Sequence, residues 1–122
     1  MYRVRVDDSF AAAHYLTKYH GKCERLHGHN YRVRVHAEGR DLDEGGMLLD
    51  FGVLKKALKE VLDTLDHSLL NENPAYDQAE PSAELIARHI FEKLKEKLPG
   101  SPLCMVEVFE TDRNLAMYLP DR

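Results

Sequence analysis

Apolar residues alternate with polar ones at the start of the chain. Tyr2, Val4 and Val6 are separated by Arg3, Arg5 and Asp7, so residues 2–12 read as a strand with one buried face. The alternation lapses over residues 15–26, a loop carrying Lys18, Gly21, Lys22 and Arg25, and resumes from His29 to about Gly39 with Tyr31, Val33, Val35 and Ala37 on one side. Past the turn-like stretch Asp41 to Gly46, the period changes. Phe51, Leu54, Leu58, Val61, Leu62 and Leu65 recur at helical spacing behind Asp50, a good N-cap residue, and this helix should end near Asp66-His67. A loop from Asn71 to Pro81 leads to Ser82, the cap of a second helix whose apolar stripe is Ala83, Ala87, Ile90, Phe91, Leu94 and Leu98, stopped by Pro99-Gly100. Leu103 to Thr111 then reads as a strand, Asp112-Arg113-Asn114 as a turn, and Leu115 to Leu119 as the last strand. The order is ββααββ, an α+β pattern in one domain covering residues 1–122, without repeat or linker.

Composition narrows the classes of function. A formal charge of −4, a pI near 6.0 and no basic block argue against nucleic-acid or anionic-membrane partners. No apolar run approaches the roughly 20 residues of a membrane span, and Met1-Tyr2-Arg3-Val4-Arg5 lacks a signal-peptide core, so a soluble, cytoplasmic protein is expected. Two cysteines are too few for a disulfide framework. Cys104 lies in an apolar strand, whereas Cys23 sits among Lys22, Glu24 and Arg25, neighbours of which the cations favour a thiolate. At 14.1 kDa the chain is small for an enzyme that must enclose a substrate alone, and oligomerisation with sites at subunit borders is expected.

The candidate chemistry gathers in Cys23-Glu24-Arg25-Leu26-His27-Gly28-His29. Residues two apart on an extended backbone point the same way, so His27 and His29 share a face, and His14 can join them if the first two strands pair as neighbours. Three neutral imidazoles suit Zn²⁺ and leave a fourth position for water or substrate, the arrangement of a catalytic site. With Cys23 as fourth ligand the same residues would instead form a closed, structural zinc site.

Several separated motifs carry a resemblance. Phe10-Ala11-Ala12-Ala13-His14, Cys23-x-x-x-His27-Gly28-His29-Asn30-Tyr31, Met47-Leu48-Leu49-Asp50-Phe51, Leu65-Asp66-His67, Pro81-Ser82-Ala83-Glu84 and Glu110-Thr111, in this order, resemble the family of 6-pyruvoyltetrahydropterin and 6-carboxytetrahydropterin synthases. The three residues between Cys23 and His27 resemble the 6-carboxytetrahydropterin branch of queuosine biosynthesis. The resemblance implies the tunnelling fold: a four-stranded antiparallel sheet backed by two helices on one face, closing as trimers into a barrel, with two trimers forming a homohexamer. It implies a pterin triphosphate substrate, 7,8-dihydroneopterin triphosphate, and Zn²⁺ held by His14, His27 and His29. It further implies Cys23 as proton-abstracting base, Asp66 and His67 as a proton relay, and Glu110 gripping the aminopyrimidine edge, with Glu84 a further substrate contact. Lys18, Lys22 and Arg25 are the nearest cations for the triphosphate. Glu24 also satisfies Glu-x-x-His-Gly-His, the pattern of a branch that makes 6-hydroxymethyl-dihydropterin for folate. The alternatives are that product, the pyruvoyl product, and a non-catalytic zinc-stabilised pterin-binding module.

Overall fold

A computed structural model describes residues 1–17, 25–77 and 80–121. Strands β1 (Tyr2–His14) and β2 (His27–Gly39) pair antiparallel along their whole length, from Tyr2 opposite Gly39 to His14 opposite His27. Helices α1 (Phe51–Asp63) and α2 (Ala83–Lys97) follow, separated by a two-residue strand β3 (Ser68–Leu69) and by 3₁₀ turns at Leu70–Glu72 and Pro74–Tyr76. Strands β4 (Leu103–Phe109) and β5 (Leu115–Tyr118) complete a sheet of order β3-β1-β2-β4-β5. The ββααββ pattern therefore holds, with one addition: the sheet has five strands, and β3 runs parallel to β1 at Ala12 and Ala13. Two residues carry no period, which is why the pattern of apolar positions could not show this strand.

Both helices cover one face of the sheet. On that face Val6, Phe10 and Ala12 of β1, Tyr31, Val33, Val35 and Ala37 of β2, and Val106 and Val108 of β4 meet Leu54, Leu58 and Leu62 of α1 and Ile86, Ile90 and Leu94 of α2, all buried. The helices start where capping predicts. Asp50 accepts hydrogen bonds from the backbone N–H groups of Gly52 and Val53 at 2.6 and 3.2 Å, and Ser82 accepts from that of Leu85 at 3.2 Å. Glu84 in the first turn of α2 and Lys95 and Lys97 in its last both suit the helix dipole. Gly100, at φ 77°, turns the chain out of α2 into β4.

Three expectations shift in detail. Helix α1 stops at Asp63, just short of Asp66-His67. Phe51 is 52% exposed, because the whole first turn of α1, Phe51 to Val53, stands clear of the packed layer. Tyr2, at the open end of β1, is likewise exposed. In β4 the register slips between His36 and Ala37 of β2, leaving Cys104 as the extra residue of a bulge, its thiol 3.5 Å from the His36 carbonyl oxygen. That slip lets Leu103 face the helices while Met105, Glu107 and Phe109 turn to the other face. There Glu107 pairs with His36 at 2.6 Å, and the guanidinium groups of Arg32 and Arg34 lie 4.5 and 4.8 Å from the centre of the Phe109 ring. Among the described residues no helix is long and apolar enough to cross a membrane.

Leu58 is fully buried between the helices and the sheet, so Leu58→Ala should cost about 2–5 kcal/mol. Urea unfolding followed by circular dichroism would measure the loss, and a cost well below this range would mean that the helix layer is loosely packed.

Candidate metal centre and substrate pocket

The β1–β2 ladder sets His14 directly opposite His27, and Ala12 opposite His29, so all three imidazoles leave the helix-facing side at the same end of the sheet. Their rings lie close together, with centroids 4.5 Å apart for His14 and His27, 4.8 Å for His27 and His29, and 5.2 Å for His14 and His29. Glu110, just past the end of β4, joins them. One ligand atom from each of His14, His27, His29 and Glu110 lies within 4.8 Å of the others, a group able to hold a metal ion.

Hydrogen bonding decides which ring nitrogens are available. His14 Nδ1 lies 2.7 Å from the Pro81 carbonyl oxygen and His27 Nδ1 lies 2.6 Å from that of Arg25. A carbonyl only accepts, so each Nδ1 carries a proton, and in the neutral imidazole each Nε2 is left with its lone pair. An outer partner of this kind fixes the tautomer and ring plane of a ligating histidine. His14 is 1% exposed, and both its Nε2 and that of His29 are buried without a hydrogen-bond partner. Buried polar atoms are seldom left in that condition, and a bound cation satisfies both. Burial lowers the His29 pKa, helped by the neighbouring His14 and His27 and opposed by Glu110, and so favours the neutral, ligating form. The donor set of imidazoles with one carboxylate fits Zn²⁺ chemically.

Beside this cluster, Glu110 and Glu84 line a pocket of about 390 Å³ closed by Asn114, Leu115 and Met117. Its walls come from the N-terminus of α2 and the β4–β5 hairpin. The Glu110 and Thr111 N–H groups both bond to the Asn114 carbonyl oxygen, and the Thr111 hydroxyl oxygen accepts from the N–H groups of Arg113 and Asn114, so the hairpin holds Glu110 at the pocket mouth.

Asp66 and His67 occupy a different place. Asp66 accepts a hydrogen bond from Ala11 N–H at 2.9 Å, and His67 N–H donates to the Ala11 carbonyl oxygen at 2.6 Å, which ties the pair to the outer edge of β1. His67 Nδ1 lies 2.9 Å from the other Asp66 oxygen, while the imidazole is 84% exposed. Among the described residues His67 is the one non-glycine position with positive φ, 55°, a conformation that strains an ordinary side chain. His67 borders a shallow groove of about 510 Å³ floored by Ala11, Ala13 and Gly28 and flanked by His29 and Asn30, and the pair is not part of the His14–His27–His29–Glu110 cluster. Cys23, Glu24, Lys18 and Lys22 lie outside the described residues. Arg25 is exposed and meets the site through its carbonyl.

The pattern of residues missed the supporting groups. The Pro81 carbonyl orients His14, and Asn71 clamps Tyr15 through both Tyr15 N–H and Tyr15 C=O at 3.0 and 2.9 Å. Tyr31, wholly buried, stacks on Phe10 at 4.8 Å and presents its ring to His14 and His29. Pro81 and Tyr31 stood inside recognised motifs, but a carbonyl's role is not written in a side chain.

The family model described as 6-pyruvoyl tetrahydropterin synthase matches residues 3–121. The chain belongs to this family. Relatives within it carry two names. A protein of Synechocystis sp., 6-carboxy-5,6,7,8-tetrahydropterin synthase, is 41% identical over 128 residues, spanning 100% of this chain and 96% of its own. Human 6-pyruvoyl tetrahydrobiopterin synthase is 34% identical, spanning 90% of this chain and 86% of its own. Among solved structures, the 6-pyruvoyl tetrahydropterin synthase of Caenorhabditis elegans superposes with a TM-score of 0.89 at 34% identity, covering 98% of this chain and 96% of that one.

The bond from Ala11 N–H, ahead of the contact with His67, holds the Asp66 carboxyl below the ordinary aspartate range. A depressed folded-state pKa stabilises the fold above the unfolded value, about pH 4, and that contribution fades as pH falls through the folded value. Wild type should therefore exceed Asp66→Asn in urea resistance at pH 7 by more than it does at pH 3. An equal margin at both would remove the ionised carboxylate as its source.

Proposed function

We propose that this chain is a zinc-dependent carbon–carbon lyase that converts 7,8-dihydroneopterin triphosphate, with uptake of one water, into 6-carboxy-5,6,7,8-tetrahydropterin, acetaldehyde and triphosphate, a step of queuosine biosynthesis. The observation that carries this reading is the trio of imidazoles beside a carboxylate-lined pocket, with His14 and His29 Nε2 buried and unpartnered. His14, His27 and His29 would hold the ion, which when bound polarises side-chain oxygens of the substrate and so acidifies the adjoining carbons.

The remaining roles belong to the chain's own groups. Glu110 and Glu84 line the pocket where an aminopyrimidine edge, with two parallel N–H donors, would be gripped by a carboxylate. Cys23 as thiolate takes a proton from the side chain of the substrate, and His67, oriented by Asp66, passes protons to and from solvent. His67 is exposed and stands outside the metal cluster of its own chain, which supports an active site completed by a second copy. Among the described residues β3 and β5 are the edge strands of the sheet, and β5 exposes Leu115 and Met117, which favours closure with further copies into a trimeric barrel and a hexamer of two such barrels. A cytoplasmic setting fits this chemistry.

Likeness to the human and nematode 6-pyruvoyl synthases keeps a second product in view. Mass spectrometry of zinc-loaded protein with 7,8-dihydroneopterin triphosphate separates them. 6-Carboxytetrahydropterin with acetaldehyde is expected, and a 6-pyruvoyl product would overturn the main reading. 6-Hydroxymethyl-dihydropterin that disappears in Glu24→Ala would assign the chain to the folate route instead.

Cys23→Ala should retain zinc and lose turnover by at least about 100-fold. Zinc lost in parallel with activity would make Cys23 a ligand, as in the non-catalytic alternative.

A further inference from the structure

Glu110 stands in two places at once. Its Oε1 lies 3.2 Å from His14 Nε2 and 3.6 Å from His29 Nε2, and the same side chain forms the mouth of the pocket that Glu84 and Asn114 line. The first set of contacts is not hydrogen bonding. The His14 Nδ1 proton is committed to the Pro81 carbonyl, so in the neutral imidazole that metal binding requires Nε2 turns a lone pair toward a carboxylate oxygen, and neither His14 Nε2 nor His29 Nε2 has a hydrogen-bond partner. Two acceptors facing each other in a buried site repel unless a cation lies between them. The two Glu110 separations are close to those of ligands sharing such a cation, and the four ligand atoms together lie within 4.8 Å of one another. With zinc–ligand bonds of about 2.0–2.1 Å, neighbouring corners of a tetrahedron are roughly 3.3–3.4 Å apart, and each corner lies well off its neighbour's lone-pair axis.

We propose that Glu110 is an exchangeable fourth ligand, closing the metal centre while the pocket is empty and leaving it when a pterin ring arrives. The exchange rests on the reading above, in which Glu110 grips the aminopyrimidine edge. A bidentate grip aims both carboxylate oxygens at the edge of the ring, which draws the coordinating oxygen away from the metal. Recognition of the ring then frees the coordination position that the side-chain oxygens of the substrate require, and a molecule lacking that ring leaves the centre closed. Specificity and activation become a single movement of one side chain at the end of a strand.

Cobalt(II) in place of zinc reports the ligand set by its visible absorption. Three results are expected: Glu110→Gln changes the ligand-free cobalt spectrum; it weakens Zn²⁺ retention against a chelator by at least about tenfold; and unsubstituted pterin, which has the ring but no side-chain oxygens, shifts the wild-type spectrum while leaving that of Glu110→Gln unmoved. Thermal unfolding of both metal-free proteins shows whether the variant folds, and Glu110→Asp, which keeps the charge but shortens the reach, repeats the comparison if Glu110→Gln does not. A variant with wild-type cobalt spectrum and zinc retention but weakened pterin binding would overturn the exchange and leave the pterin grip standing. Altered metal binding with undiminished pterin affinity, and no effect of pterin on the wild-type spectrum, would overturn both.

Discussion

The register of the β1–β2 ladder is the constraint on which the rest of the structure depends. A slip of one residue would turn every β2 side chain to the opposite face, carrying His27 and His29 away from His14 and burying Arg32 and Arg34 in place of Val33 and Val35. Both faces resist it. On the helix side Phe10 stacks on Tyr31 at 4.8 Å, and Val6 lies opposite Val35. On the other side Arg3 meets Glu38 at 3.1 Å and Arg34 lies 3.5 Å from Asp7. Exposed ion pairs contribute little stability, on the order of 0–1 kcal/mol each, so burial of the apolar face dominates and the charges add specificity. The candidate metal ligands thus inherit their positions from the core.

A second set of bonds ties that sheet end to the entry of α2. The Pro81 carbonyl holds His14, the next residue caps the helix, and Glu84, two residues further on in the first turn, opens onto the pocket. Thr17, beyond the end of β1, donates to Glu80 through both its N–H and its hydroxyl, while Asn71 clamps Tyr15. The candidate metal centre and the pocket therefore share walls, which is what lets a single carboxylate, Glu110, reach both.

Much of this was legible in the sequence because it rests on period and on side chains with one dominant chemistry. Alternation located β1 and β2, Asp50 and Ser82 marked both helix starts, and His-x-His on a strand could only place two imidazoles on one face. The rest depended on backbone geometry, which side-chain patterns do not encode. The two residues of β3, the bulge at Cys104 and the Pro81 carbonyl are examples, each set by tertiary contacts. Phe51 misled for a related reason: helical spacing gives a direction around the axis, not how far the sheet extends beneath it. Glu110 was foreseen as a substrate contact, yet its approach to the histidines was not, because it lies 81 residues from His29 in the chain and only the β2–β4 pairing brings them together.

His67 shows the opposite relation between structure and stability. A non-glycine residue at φ 55° costs on the order of 1–3 kcal/mol, and its imidazole, 84% exposed, offsets little of that by packing. The surroundings nevertheless enforce it, with His67 N–H bonded to Ala11 and Asp66 bonded to both Ala11 and the ring. Among the described residues the contacts that profit are those fixing the imidazole at the rim of an open groove, with Nδ1 against a carboxylate and the ring largely exposed. A fold that keeps a strained, outward-facing histidine in a fixed orientation holds a group that its own core does not need, and this is the support that the structure lends to the proposed role of the Asp66–His67 pair in proton transfer.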